Sequence, residues 1–518
     1  MKVFKLISVL YKIKLLSPIS LLSLIQSIFK HGLNLMTLLC FASKKYGEKV
    51  VLVDDEESFS YSRLFTESQK LALCLRKEVQ IGSNSKVAFL SKNHASLVKS
   101  IFATSRLGAE LFFVNTQLSK NQFQQLIEFH KLDVIIYDDE FTTLIEQSNF
   151  QGVKIKTYHE HLPSINNFLQ VIDPEFYRIP RTSSSKLTLF TSGTTGVPKK
   201  AIHKPTLFNY LNPFISFIDR LKVLNYHTAY IATPIYHGYG MAILLLFIPL
   251  GKKIIIRRKF DAAESCNLIR EHRVEVITVV PTILKRLIET NKNDLKSLRC
   301  IASGGAKLNP KLINDTIGTL GKVLYNLYGT TEAGLNFIAT PEDLIYSTST
   351  IGKPIDGMKL KVLDLNMEEV EVGKVGQICI RNAWSMRNSE NRWIETGDLG
   401  YHDQNGYYFL GGRIDDMIIS GGVNVYPSFV EQILTQHPSI EDAAVIGMDD
   451  DEFGQRLNAF LVIAKSASTV TKQEIQEWLR TKVSKFELPK EIEIVDELPY
   501  SALGKLDRKQ LRHMSIQK

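Results

Sequence analysis

The chain of 518 residues is 44% hydrophobic and 23% charged, which is ordinary for a soluble protein and too long for one compact core. Two or more domains are expected. The formal charge of +9 (63 Lys+Arg against 54 Asp+Glu) is modest, and without a run of five or more like charges it argues against a nucleic-acid partner. Cys40, Cys74, Cys266, Cys300 and Cys379 form no CxxC pair and no even framework, so reduced thiols in a cytoplasmic protein are expected.

Residues 1–31 form an apolar and basic extension. Lys2, Lys5, Lys12, Lys14 and Lys30 bracket a charge-free run from Leu15 to Phe29. As a helix this run spans about 22 Å, short of the roughly 30 Å hydrocarbon core. From Ile19 onward, Ser20, Ser23, Ser27 and Lys30 make one narrow polar stripe in an otherwise apolar surface, with Gln26 the exception. Such a helix suits a membrane interface or a dock on the protein's own body. Peripheral attachment to the inner face of the membrane is the expectation. No small-x-small site follows that would mark a cleaved signal peptide.

The body reads as alternating strands and helices. Val51 to Tyr61 predicts strands, Leu64 to Lys77 a helix, Lys86 to Leu90 a strand, then a helix to Arg106 and a strand at Leu111 to Val114. Ser119 with Gln122 has capping-box spacing, and Val134 to Tyr137 is the next strand. This alternation predicts an α/β fold with parallel sheets covered on both faces. The stretch from Gln147 to Ser185 is polar and proline-bearing and is expected to be irregular.

Leu187 to Lys200 reads LTLFTSGTTGVPKK, a β-prone run entering seven residues of Thr, Ser, Gly and Val. Gly193 and Gly196 free the backbone amides; Thr191, Ser192, Thr194 and Thr195 supply hydroxyls; Lys199 supplies charge. Donors of these kinds on one loop suit a polyphosphate. Val197 and Pro198 before Lys199 distinguish it from the usual P-loop.

Further strands are predicted at Ile231 to Pro234, Lys253 to Ile256, Val274 to Val280 and Arg299 to Ala302, with a buried helix over Met241 to Leu250 and another capped by Asp261. In doubly wound sheets ligands sit where strand C-termini open into loops, so the openings after residues 190, 234 and 302 are candidates for one cleft. In Leu324 to Gly334, LYNLYGTTEAG, the Tyr328 ring can cover a purine with room left by Gly329. Thr330 and Thr331 can reach a phosphate, and Glu332 suits Mg2+. Ser347 to Leu410 is β-rich and predicts a small barrel-like unit carrying Thr396-Gly397-Asp398, a carboxylate fit for ribose hydroxyls. Arg413 follows about fifteen residues later, and the composition shifts over RIDDMIISGGVNVY into a C-terminal α+β unit ending in PYSALGK.

The glycine/threonine loop, the Tyr-Gly-Thr-Thr-Glu run, Thr-Gly-Asp and the terminal Gly-Lys together resemble the adenylate-forming enzymes over residues 33–512, and most closely the fatty acyl-CoA synthetases. The resemblance implies an AMP-binding N-terminal domain over 32–412, a hinge over 413–415 with Asp415 at its pivot, and a mobile C-terminal domain over 416–518. It implies ATP contacts from Thr191 to Gly196, Lys199, Gly304, Gly305, Ala306, Asn326, Tyr328, Gly329, Thr330, Thr331, Asp398 and Arg413. It further implies Glu332 on the metal, Gly421 and Gly422 on coenzyme A, and Lys505, with Thr331 and Glu332, in catalysis. Lys200, Tyr500 and Phe429 depart from residues frequent in the family, and Asn382 to Arg392 is short.

The implied chemistry is ATP-dependent activation of an acid as its acyl-adenylate and transfer to coenzyme A. No amino-acid-binding aspartate follows Tyr236 to Gly240, and with thirteen residues after Lys505 a fused carrier is not expected. His237, Gly238 and Gly240 are candidates for the acyl pocket. Glycine walls and the N-terminal helix predict a medium- or long-chain fatty acid. An aryl acid such as succinylbenzoate, a free-standing carrier-protein loader and a catalytically weak acyl-binding protein are the alternatives.

Overall fold

The structure is a computed structural model. It describes all residues except 1–9, 12, 14, 161–162, 172–178, 183–185, 192–198, 204–209, 365, 386–392, 465–469, 502–503 and 517–518. The chain forms two compact units: Met1–Val279 with Asn293–Cys300 and Ala383–Ser389, and Val280–Lys292 with Ile301–Asn382 and Glu390–Lys518.

The first unit opens with helices α1 (Pro18–His31), α2 (Leu35–Tyr46), α3 (Tyr61–Glu78), α4 (Ala95–Arg106), α5 (Lys120–His130), α6 (Thr142–Glu146) and α7 (Ile165–Val171). Interleaved are strands β1 (Val50–Val53), β2 (Ser58–Ser60), β3 (Lys86–Leu90), β4 (Glu110–Phe113), β5 (Val134–Tyr137), β6 (Val153–Lys156), β7 (Leu187–Thr191) and β8 (Lys199–His203). There follow α8 (Leu211–Arg220), β9 (Thr228–Ile231), α9 (Gly238–Phe247), β10 (Lys253–Ile256), α10 (Ala262–Glu271) and β11 (Val276–Val279). One sheet has the order β6-β5-β3-β4-β7-β8, parallel until β8 turns back; the other runs β11-β9-β10-β1-β2, with β2 antiparallel.

The inner strands of the first sheet are buried on both faces: all four residues of β5 are buried, as are four of five in β3. That is why they read as unbroken apolar runs. Ser119 and Gln122 close the expected capping box on α5, and Asp261 caps α10 through the Glu264 amide. The stretch expected to be irregular in fact holds β6, paired in parallel with β5, and α7. β6 escaped detection because it is an edge strand with two exposed residues among its four.

Helix α1 docks on this unit, but not through its apolar side. Ser20, Ser27 and His31 are its buried residues, whereas Ile19, Leu22, Ile25 and Phe29 face outward. Among the described residues no helix is long and apolar enough to cross a membrane. All five cysteines are buried free thiols.

The second unit comprises α11 (Pro281–Asn291), β12 (Cys300–Gly304), α12 (Pro310–Leu320), β13 (Leu324–Thr330), β14 (Gly334–Ala339), α13 (Pro341–Tyr346), β15 (Thr350–Pro354), β16 (Lys359–Leu363), β17 (Gly376–Arg381), β18 (Ile394–His402) and β19 (Tyr408–Arg413). Their sheet order is β16-β17-β18-β19-β15-β14-β13-β12, antiparallel except for the parallel β12–β13 pair. The C-terminal part adds β20 (Ile418–Ser420), β21 (Val423–Val425), α14 (Pro427–Leu434), β22 (Ile440–Asp450), β23 (Gly454–Ile463), α15 (Lys472–Arg480), β24 (Glu491–Ile494) and α16 (Arg508–Ile516). Its sheet runs β21-β20-β23-β22, with β24 alongside β23.

Candidate active site

In the first unit β7 and β8 form a hairpin whose last pair is Thr191 with Lys199. Ser192, Gly193, Thr194, Thr195 and Gly196 lie between them, outside the described residues. The neighbouring strand end, after β9, is held by buried Asn93, which donates to the Thr233 carbonyl at 3.0 Å and accepts the Ile235 amide at 2.8 Å. Nothing in the sequence around Asn93 signals that clamp. His237 stands at the start of α9, and a side chain at Gly238 would come within 3.0 Å of Leu189 on β7. The start of α9 therefore packs against β7.

The glycines there serve packing. A Cβ on Gly240 would fall 2.3 Å from the Pro234 carbonyl oxygen, so Gly240 is bare because α9 crosses the backbone at that point.

In the second unit β12 is buried along its length and runs out at Gly304 into Gly305, whose φ of +82° favours glycine. Half-buried Ala306 follows. Buried Asn326 on β13 registers with Ser303. β13 and β14 are joined by the three residues Thr331 to Ala333, with Gly334 left-handed at φ +69°. Three-residue hairpin loops take this form, a turn followed by a left-handed glycine. Thr330 Oγ1 accepts the Ala333 amide at 3.0 Å and tightens the loop, which carries Thr331 and Glu332 at its tip. Gly329 is bare for a different reason than expected. A Cβ there would meet the Gly334 carbonyl oxygen at 2.4 Å, so β14, not a purine, occupies that space.

Tyr328, Asp398 and Arg413 meet. Strand register sets Asp398 opposite Arg413. One carboxylate oxygen takes the Tyr328 hydroxyl at 2.5 Å, the other the Arg413 guanidinium at 2.9 Å. Arg413 also donates to the Thr396 carbonyl at 3.3 Å and lies 3.5 Å from Asp415. Gly397, at φ +73°, leaves the space the guanidinium needs, since a Cβ would sit 2.9 Å from it. Burial and then the Asp398 charge hold the Tyr328 phenol well above its ordinary range, so it stays a donor. A carboxylate oriented by two fixed donors retains lone pairs for further hydroxyl groups.

Lys505 lies on a turn that folds on itself: Ser501 donates to the Lys505 carbonyl at 2.8 Å, and the Lys505 amide returns to Ser501 Oγ at 3.2 Å. Its neighbour Gly504 rests on α11, where a Cβ would be 3.1 Å from Thr282 Oγ1 and 3.5 Å from Val280 Cβ. Val280 is also the nearest group to the open side of Gly305, at 3.6 Å. The turn carrying the exposed Lys505 thus packs on Val280, which also borders Gly305. What holds it there was not legible in the chain. Tyr500 donates to Asp442 at 2.8 Å, Lys285 on α11 pairs with Glu441, and Asn309 donates to the Glu441 carbonyl at 3.2 Å. Arg508 braces the strap by reaching Asp416 at 3.2 Å, Glu431 at 3.1 Å and the Val445 carbonyl at 2.6 Å. Gly421 and Gly422 form the two-residue turn of the β20–β21 hairpin, both with positive φ (+56° and +83°). That geometry accounts for two glycines by itself.

Residues 41–388 match the profile of the AMP-binding enzymes, and residues 430–505 match that of the AMP-binding enzyme C-terminal domain. The chain belongs to the AMP-binding enzymes. A 2-succinylbenzoate–CoA ligase of Oceanobacillus iheyensis is 30% identical over 477 residues, covering 90% of this chain and 96% of that protein. The structure of o-succinylbenzoate CoA synthetase (MenE) from Bacillus subtilis, solved with the acyl-adenylate OSB-AMP, superimposes with a TM-score of 0.78 at 26% identity. It covers 92% of this chain and 97% of that one. The amide bond synthetase McbA from Marinactinospora thermotolerans shares the fold, with a TM-score of 0.82 at 23% identity over 93% of this chain and 99% of that one.

These relatives overturn the fatty-acid expectation. It leaned on glycines as the walls of a long slot, and Gly240 is consumed by backbone packing. It leaned also on the N-terminal helix, which carries no information about the acid.

Proposed function

We propose that this chain is an ATP-dependent ligase that activates an aryl acid of the 2-succinylbenzoate class as its acyl-adenylate and passes it to coenzyme A. The proposal rests on likeness along almost the whole length of a 2-succinylbenzoate–CoA ligase, 96% of which is covered. The Tyr328–Asp398–Arg413 constellation and the Lys505 turn supply matching chemistry.

A carboxylate cannot be thioesterified directly, because oxide would have to leave. In the first step a carboxylate oxygen bonds to the α-phosphorus of ATP and the bond to the bridging oxygen breaks, releasing pyrophosphate. Two anions must approach, and the exposed ammonium of Lys505 neutralises them. Asp398 accepts from the ribose hydroxyls, the Tyr328 ring covers the base, and Arg413 holds Asp398 in place. The loop between Thr191 and Lys199 receives the outgoing phosphates.

Mg2+ commonly uses one or two protein carboxylates plus phosphate oxygens and water. Among the described residues no group of three or more His, Cys, Asp or Glu side chains could hold a metal ion by itself. Glu332, at a hairpin tip, would hold the ion, whose charge would offset that of the phosphates. In the second step the thiol of coenzyme A attacks the acyl carbon, AMP leaves, and the thiol proton goes to solvent. Turning about Asp415 would withdraw Lys505 and present the Gly421-Gly422 turn.

Pyrophosphate exchange into ATP, driven in parallel by 2-succinylbenzoate, benzoate and palmitate, tests the proposal. Exchange with 2-succinylbenzoate and none with palmitate is the expected result. Exchange with palmitate alone would overturn it.

A further inference from the structure

Helix α1 is mounted inside out. At 100° per residue Ile19, Leu22, Ile25 and Phe29 share one side, and they are 82%, 58%, 46% and 66% exposed. Ser20, Ser27 and His31 share the opposite side with half-buried Leu24 and are 8%, 0% and 1% exposed. A helix bathed only by water gains by turning its apolar side inward, since each large apolar side chain fully buried is worth about 1.5–3 kcal/mol. Here polar contacts instead anchor the C-terminal end of the helix. Gly32 pairs with Thr182, the Thr182 amide donates to the His31 carbonyl at 3.4 Å, Asn34 donates to that carbonyl at 2.8 Å, and Gln69 lies 3.4 Å from the His31 ring. A row of scattered exposed side chains would need no explanation; one coherent apolar face opposite a buried polar one does.

The charge around the helix says what covers that face. From Met1 to Gly47 the chain holds seven lysines and no aspartate or glutamate. Lys30 and Lys44 are exposed, Lys44 ties to Gln26 of α1 at 3.2 Å, and the Arg181 guanidinium lies 5.5 Å from the centre of the Phe29 ring. A second copy meeting this face by a two-fold axis would set the same cations against each other. An anionic lipid surface satisfies both demands, taking the apolar row among its acyl chains and the cations among its headgroups. At 14 residues α1 is about 21 Å long, enough to lie in an interface and too short to cross the roughly 30 Å core. The family match begins at residue 41, so α1 lies outside the part shared with that family.

We propose that the outward face of α1 is a docking surface for anionic membranes, which the enzyme touches reversibly with this helix lying flat. The proposal is independent of the identity of the acid.

Co-sedimentation of the full chain with phosphatidylglycerol/phosphatidylcholine vesicles and with phosphatidylcholine alone tests it, beside the double variant Leu22→Glu/Phe29→Glu. Both substituted side chains point away from the body, so an unchanged thermal melting curve checks that the variant folds. The expected result is sedimentation of the wild type with the anionic vesicles only, and a loss of roughly tenfold or more in the variant. Retention of the wild type in the supernatant, or equal sedimentation of the variant, overturns the proposal. So does a dimer in light scattering that the double variant dissolves without any vesicle binding. If vesicles capture only a chain starting at Leu10, the first residues cover the face, and the proposal falls.

Discussion

Two parts of the second unit carry the candidate chemistry and are held in different ways. Asp398 and Arg413 face each other because their strands are in register, with Tyr328 on a third strand of the same sheet. Their geometry is written in backbone hydrogen bonds. Lys505 is held by side chains: Tyr500 to Asp442, Lys285 to Glu441 and the forked Arg508. Lys285 is about half exposed, and pairs of that kind are individually worth about 0–1 kcal/mol. A nest fixed by strands suits a nucleotide retained through two half-reactions. A strap fixed by weak ties suits a lysine needed in only one. Helix α1 repeats the second pattern in the first unit, held by His31 and the residues around its end.

The sharpest way to break this contrast is Lys505→Ala. Adenylation should fall by roughly a thousandfold or more, the scale of losing a charge that acts at the transition state. Coenzyme A should still react with supplied acyl-adenylate to within a few-fold of the wild type. Equal loss in both half-reactions, each followed by rapid quench, would erase the distinction between strap and nest.

Asp398→Ala should act on both half-reactions. A buried charged hydrogen-bonding group removed from a ligand site costs about 1.5–3 kcal/mol, so affinity for ATP and for AMP should each drop by roughly ten- to a hundredfold. Calorimetric titration of both nucleotides measures this. A drop confined to ATP would mean that Asp398 serves the phosphates and not the ribose.

Acid should loosen the side-chain-held α1 before it touches anything held by strands. Burial, and then the Arg106 and Lys30 charges, hold the His31 imidazole down at about 3, against 6.5 when unfolded. The unfolded chain therefore binds the extra proton between those values. The stability linked to His31 is complete above pH 6.5 and is lost as pH falls toward 3, about 2 kcal/mol of it by pH 5. Asp138 behaves otherwise. Burial raises its carboxyl, but the His94 hydrogen bond and charge outweigh that and leave it at about 2, so its contribution survives until pH falls below 3.8. Hydrogen exchange at pH 5 should show α1 opening and β5 protected, and His31→Gln should remove the pH dependence of α1. Equal loosening of both elements would contradict the assignment.

The smallest effect belongs to Tyr500→Phe. Losing one partly exposed hydrogen bond should cost about 0.5–1.5 kcal/mol. Adenylation should slow a few-fold while thioester formation is unchanged or slightly faster, as stopped-flow traces of the separate steps would reveal. A general loss of both would assign Tyr500 to folding alone.

Most strands of the first unit were legible in the sequence because burial on both faces leaves an apolar signature, and the caps at Ser119 and Asp261 were legible because caps are local chemistry. β6 was missed because an edge strand with exposed residues has neither signal. In the site, Tyr328, Asp398 and Arg413 were named as three candidates, yet their convergence on one carboxylate is a matter of strand register. Asn93, Glu441, Asp442 and Arg508 were not named at all. Each is a single polar residue whose partner lies 58 to 156 positions away, and no local pattern encodes such a pair.

The sequence alone thus determined most of the element types and the family resemblance, since these rest on short-range periodicity and clustered residue types. Only the tertiary structure decided which glycines are bare for packing, where Lys505 is held, and which side of α1 faces outward. Those outcomes depend on what another stretch of chain places against each residue.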